Sequence, residues 1–158
     1  MQVAKQDRII NGNGGADTIL GEPGNDDLRG GSGSDSLLGG SGDDSIFGNN
    51  NNDTLEGGDG NDLLRGGRDS DVLSGNDGND TLIGDFGFDL LTGGIGNDLF
   101  VLRGGEAGST DIQNADLITD FLASGDRLGL TNSFRFEDLV FIPTKITFGG
   151  SETNSTAV

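Results

Sequence analysis

Ten aspartates stand nine residues apart without a break: Asp17, Asp26, Asp35, Asp44, Asp53, Asp62, Asp71, Asp80, Asp89 and Asp98. Two residues before them lie Gly15, Gly24, Gly33, Gly42, Gly60, Gly78, Gly87 and Gly96, with Asn51 and Asp69 in the two remaining places. An ionised carboxylate is an acceptor-only ligand. Beside a glycine turn that points main-chain carbonyls inward, it adds to a set of hard oxygen atoms. Such a set, with no nitrogen or sulfur, suits calcium and not zinc or copper. The chain has neither His nor Cys. Imidazole and thiolate zinc ligands, His-dependent triads and disulfides are therefore excluded. A Gly-x-Ser-x-Gly elbow is also missing. The expectation is a binding protein, not an enzyme.

Something must hold these oxygens in register. Gly12–Val101 divides into ten nonapeptides, with Gly at position one, Asp at position six and an apolar residue at position eight every time. The apolar column runs Ile19, Leu28, Leu37, Ile46, Leu55, Leu64, Leu73, Leu82, Leu91 and Phe100. A fixed short period of this kind marks a solenoid. Glycines at positions one and four are expected to take positive φ and turn the chain sharply twice. Residues seven to nine leave room for a short strand, with residue eight facing inward. One nonapeptide is then half a coil and two make a full coil. Stacked coils form two short parallel sheets.

Composition supports a conditional fold. The chain has 158 residues, a net charge of −18, 31 glycines and a hydrophobic fraction of 31%. Low hydrophobicity with high charge ordinarily means disorder. The periodicity argues instead for a chain that is unfolded without cation and folded with it. The acidic balance argues against nucleic acid and anionic membrane as partners. Residues 1–10 lack the apolar core of a cleaved signal peptide, and no apolar run is long enough for a transmembrane helix.

The pattern Gly-Gly-x-Gly-x-Asp-x-(apolar)-x resembles the repeats-in-toxin (RTX), or haemolysin-type, calcium-binding repeat. The resemblance implies an all-β fold: a calcium-stabilised parallel β-roll, or β-solenoid, with a small Phe-rich β cap at the C-terminus. It also implies that each Ca2+ ion lies between the turns of repeats n and n+2, held by the Asp carboxylates and turn carbonyls, including those at the glycines named above. Ten loops place five on each edge and enclose up to eight ions. Eight divalent ions carry about +16, close to balancing the chain. The same resemblance implies export by a one-step (type I) secretion apparatus, and a secreted, extracellular protein. Low cytosolic calcium keeps the chain unfolded for export, and millimolar external calcium folds it.

Not all turns match equally. Gly30–Asp35, Gly39–Asp44, Gly57–Asp62 and Gly93–Asp98 fit the consensus fully, and Gly48–Asp53 carries Asn at four successive positions. Gly66–Asp71 has Arg68 and Asp69 within it, and the cation there is expected to weaken or replace one ion. Phe86 and Phe88 point out of Gly84–Asp89, toward a contact with the C-terminal segment.

The expected organisation is a lead-in at 1–11, the roll at 12–101, a capping region at 102–148 and a mobile tail at 149–158. In the lead-in, Val3 and Ile9-Ile10 either cover the first coil as a strand or form a frayed or cut end. Six of nine Phe residues lie from Phe100 onward. Strands are expected at Leu99–Leu102, Leu117–Phe121, Arg127–Leu130, Val140–Ile142 and Lys145–Phe148, with one helical turn over Phe134–Leu139 and turns at Gly104–Gly108 and Ser124–Asp126. The stretch from Asp116 to Leu128 resembles the region after the repeats in secreted RTX proteins. Asp111, Asp116, Asp120 and Asp126 either bind one more ion or are solvated turn residues. An alternative reading makes the chain the calcium-binding and secretion module of a larger exoenzyme, a protease or lipase. A third, a surface-binding solenoid, wants a Thr ladder at position seven. That column runs Thr18, Ser36, Thr54, Val72, Leu90 on one sheet and Asp27, Ser45, Leu63, Thr81, Leu99 on the other, and neither is a ladder.

Overall fold

The computed structural model describes residues 6–103, 116–122 and 125–131. Their regular structure is entirely β. Strands β1 (Ile9–Gly14), β2 (Thr18–Pro23), β3 (Asp27–Ser32), β4 (Ser36–Ser41), β5 (Ser45–Asn50), β6 (Thr54–Asp59) and β7 (Leu63–Arg68) are followed by β8 (Val72–Asp77), β9 (Thr81–Phe86), β10 (Leu90–Ile95) and β11 (Leu99–Arg103). Two more, β12 (Leu117–Ile118) and β13 (Arg127–Thr131), come after the repeats. Alternate strands pair in parallel. One sheet has the order β1-β3-β5-β7-β9-β11-β13 and the other β2-β4-β6-β8-β10-β12. The chain is a parallel β-roll. Among the described residues no helix is long and apolar enough to cross a membrane.

The strands are longer than positions seven to nine allow. Strands β1 to β10 each run six residues, from position seven through position three of the next repeat, as Thr18–Pro23 does. The inward residues are position eight and position one, both buried, with exposed or partly exposed neighbours. The interior is therefore an apolar column beside a glycine column. In register, Leu28, Ile46, Leu64, Leu82 and Phe100 stack on one sheet and Ile19, Leu37, Leu55, Leu73 and Leu91 on the other. Eight of these ten are 0% exposed, so apolar contact along each column glues coil to coil.

Both ends of the array gain extra strand. In β1, Ile10 pairs with Leu28, so the lead-in covers the first coil of its sheet as a strand and is not frayed there. At the other end Ile118 pairs with Leu91 and Leu128 with Phe100. Ile118, Phe121, Leu128 and Leu130 pack on the core, with the Phe121 ring centroid 6.2 Å from that of Phe100. The strand expected over Leu117–Phe121 stops at Ile118. Beyond it, Asp120 turns back and accepts hydrogen bonds from Gly93 N (2.9 Å) and Gly94 N (2.8 Å), standing in for strand carbonyls. Asp126 closes the next turn, taking the Leu122 N–H at 2.7 Å. The expectations for Val3, Gly104–Gly108, Asp111, Ser124, Phe134–Leu139, Val140–Ile142, Lys145–Phe148 and the tail lie outside the described residues.

Candidate metal centre

Each edge of the roll is a stack of six-residue turns, positions one to six. The conformations within them differ from expectation. All ten residues at position four have positive φ, including Asn51 (72°) and Asp69 (73°). So do all ten at position two, among them Glu22 (69°), Asn49 (86°) and Asp85 (77°). No position-one glycine does. Position one is Gly for space: a Cβ built at Gly21 would lie 2.7 Å from Asp26 Oδ2, and one at Gly12 would lie 2.6 Å from Gly30 O in the next coil. The left-handed residues that turn the chain are two and four, and the carboxylate folds back over the Cα of position one.

That fold-back places the aspartates in two columns. On one edge Asp17 N–H donates to Asp35 Oδ1, Asp35 to Asp53, Asp53 to Asp71 and Asp71 to Asp89, at 2.8–2.9 Å. On the other, Asp26 donates to Asp44, Asp44 to Asp62, Asp62 to Asp80 and Asp80 to Asp98, at 2.7–2.9 Å. Every Asp backbone amide thus holds the next carboxylate in its column. The second oxygen is not used this way. Oδ2 of Asp17, Asp26, Asp35, Asp53, Asp62, Asp71, Asp80, Asp89 and Asp98 is buried with no hydrogen-bond partner. A buried acceptor left so costs about 1–3 kcal/mol, more when charged. The Oδ2 atoms lie over the Cα atoms of their own turns' position-one glycines. There they meet the carbonyl of the next coil's position-one glycine, as Asp26 Oδ2 and Gly39 O do on either side of Gly21. Carbonyls at positions two and four of each turn also abut the turn above, as Gly15 O does Gly33 and Gly42 O does Gly60.

These atoms fit a divalent hard cation. Among the described residues no three carboxylates gather at one point. The donor set is one carboxylate per turn with main-chain carbonyls around it, the mixed oxygen set calcium accepts.

The columns run past the repeats at both ends. Asp89 N–H donates to Asp116 Oδ1 (3.3 Å) and Asp98 N–H to Asp126 Oδ1 (3.0 Å), so both later carboxylates join the ladders. The sequence signal was an Asp two residues before an apolar residue, Asp116-Leu117-Ile118 and Asp126-Arg127-Leu128, without the glycines. Position five carries a second ladder, tighter on one edge than on the other, where Ser70 N–H reaches Asn52 Oδ1 at 3.4 Å and Phe88 N–H reaches Ser70 Oγ at 3.3 Å. Asn61 Oδ1 accepts Asn79 N–H, and Asn79 Oδ1 accepts Asn97 N–H, both at 3.0 Å. The matching residues on the other edge are Ala16, Ser34, Asn52, Ser70 and Phe88, so the edges are unequal. This 18-residue alternation is present in the sequence itself.

Arg68 does not sit among the column oxygens. At position three its exposed side chain lines a groove on the outer sheet face with Phe47 and Phe86. Phe86 meets Arg103, 5.9 Å from the ring centroid, and Arg103 Nε lies 2.8 Å from the buried carboxylate of Asp85, which also pairs with Arg65.

Without metal, the most deeply buried column carboxylates hold their protons more tightly than free Asp does. Burial pushes Asp71 up to about 8, Asp62 to about 7 and Asp53 and Asp80 to about 6, neighbouring carboxylates adding to the rise. Burial likewise raises Asp116 to about 7. An unfolded Asp titrates near 4. Between about pH 4 and 8 the metal-free roll therefore binds more protons than the unfolded chain, and its stability falls as pH rises through that window. Two outcomes are expected. In chelator, far-ultraviolet circular dichroism shows more β signal at pH 5 than at pH 8, and calcium uptake at pH 7 releases protons into weak buffer. A chelated chain with the same spectrum across this range, and no proton release, would contradict the burial of these groups.

Two oxygen-lined edges flanking a thin apolar core define a β-solenoid of repeated turns. The family described as RTX calcium-binding nonapeptide repeat (4 copies) matches residues 9–37, 38–73 and 74–106. These spans cover more than half of the chain, which belongs to that family, and its repeats bind calcium. No curated protein matches the chain.

Proposed function

We propose that this roll is a secreted module that folds when it meets extracellular calcium. Its ligands in this reading are the Asp carboxylates through Oδ2 and the carbonyls of the stacked turns. The observation that carries it is the buried Oδ2 atom without a hydrogen-bond partner on nine of the column aspartates, spread over both edges. Four gaps per edge lie between repeat turns, and Asp116 and Asp126 close one more on each edge, making ten places against the eight that the repeats alone provide. Bound calcium supplies positive charge to carboxylates that otherwise repel one another. Its binding free energy becomes folding free energy, since the cages do not exist in the unfolded chain. Export of the unfolded chain through a type I apparatus, which the likeness to secreted RTX proteins implies, is compatible with the same coupling. The chain acts in this reading as a binding module and not a catalyst. Among the described residues, the buried ionisable groups are Asp85 and the repeat aspartates from Asp26 to Asp98.

Calcium titration of the full chain tests this. In excess chelator at pH 8 the chain lacks β ellipticity, and it gains it cooperatively with millimolar or lower calcium. Magnesium, with a small octahedral shell that dehydrates reluctantly, fails to replace it. A roll that is fully formed in chelator at pH 8 and indifferent to calcium defeats the proposal.

A further inference from the structure

One residue breaks the aspartate column at its start. Arg8 N–H donates to Asp26 Oδ1 at 2.7 Å, as Asp26 N–H does to Asp44 Oδ1 one coil later. Asp27 N–H donates to Arg8 O at 2.8 Å, as Ser45 N–H does to Asp26 O. Arg8 therefore occupies position six of a turn, where every later turn of that edge has Asp. Its guanidinium bends into the gap above it. One terminal nitrogen donates to Gly21 O at 3.1 Å and the other to Glu22 Oε2 at 2.7 Å. Gly21 O is the position-one carbonyl of the next coil, the atom that in the following gap is Gly39 O, beside Asp26 Oδ2. The second departure falls on the same gap. Position two is Gly, Asn or Asp in nine repeats and Glu only at Glu22, which holds positive φ (69°) while its carboxylate pairs with Arg8. Each odd residue supplies what the other needs.

We propose that Arg8 is a tethered cation that closes the N-terminal end of this ion lane. Its guanidinium takes the carbonyl that an ion would otherwise share, and places a positive charge at the head of a column of carboxylates. The first gap on this edge then excludes calcium and is held without it. The other edge begins at Asp17 and has no counterpart among the described residues. The inference rests on the calcium reading above, and its consequence is that the first coil stays docked at calcium levels too low to order the rest.

The test uses the full chain, with Arg8→Asp and Arg8→Ala variants. Native mass spectrometry counts ions at saturating calcium, and hydrogen exchange follows the amides of Arg8–Asn11 and Asp27 at calcium below the folding midpoint. Arg8→Asp is expected to bind one ion more than the wild type. Arg8→Ala is expected to bind the same number as the wild type but to lose at least about tenfold in protection at these amides, or about 1.4 kcal/mol. Equal counts for wild type and Arg8→Asp, or unchanged protection in Arg8→Ala, overturn the assignment to Arg8 and leave calcium binding intact. A wild type that takes up no calcium overturns both.

Discussion

Gly57→Ala is expected to raise the calcium midpoint of folding about tenfold or more, or to prevent folding, although Ala suits the backbone there. Gly57 is at position one and has no positive φ. Ordinary rules of glycine would class the change as harmless or mildly favourable. The obstacle is the added methyl, which would press into the Asp62 carboxylate and come within 2.8 Å of Gly75 O. The Asp62 carboxylate is held by the Asp44 N–H, and Gly75 O is main chain of the next coil. Overpacking of this kind costs about 1–3 kcal/mol, and each 1.4 kcal/mol is a tenfold change in an equilibrium. Asn49→Gly is the matched control. Position two holds Asn49 at φ 86°, and its side chain offers only a 3.3 Å hydrogen bond to Phe47 O. Glycine accepts that φ without strain. This variant is expected to leave the midpoint unchanged or lower it. Circular dichroism across a calcium series compares the two. If Gly57→Ala folds at wild-type calcium, the position-one glycines are not cradles for the carboxylates.

Asp62→Ala is expected to shift the midpoint several times further than Asp17→Ala. Asp62 sits in the middle of its column. Its Oδ1 accepts the Asp44 N–H at 2.7 Å, its own N–H donates to Asp80 Oδ1 at 2.8 Å, and its Oδ2 is buried between turns. Truncation removes a carboxylate from the stack and deprives the buried Asp44 amide of that acceptor, which costs about 1–3 kcal/mol apart from any ion lost. Asp17 begins the other column. It donates to Asp35 Oδ1, but among the described residues no amide donates to its own carboxylate. Its loss affects one gap and no ladder bond below it. Asp62→Asn separates the two roles, since an amide oxygen keeps the hydrogen bond and gives up the charge. A shift for Asp62→Asn close to that for Asp62→Ala assigns the effect to the ion. Equal shifts for Asp62→Ala and Asp17→Ala would mean that stacked turns do not share their ligands.

The period of nine determined much of this protein by itself. An Asp and an apolar residue two apart, repeated ten times beside glycine, can satisfy both burial and turn geometry only as a stacked roll. Two parallel sheets, an inward column at position eight and carboxylates along two edges all follow from that spacing. Sequence alone misassigned the glycines. Composition shows that position one is always Gly, but not whether the cause is φ or space. Tertiary structure decided it, because the atoms that crowd Gly21 come partly from Gly39, a full coil away. The same holds for Glu22 and Asp85, two residues with positive φ that no propensity would place there. Each has its carboxylate on an arginine from another strand or turn. Asp116, Asp126 and Arg8 lack the glycines of the repeat, so the pattern passes over them. They enter the columns through strand register, which is set by Ile118, Leu128 and Ile10 seeking the apolar stack. Local spacing therefore settled what each coil is. Contact between coils settled where the columns begin and end, because those ends depend on which neighbour supplies the next oxygen or cation.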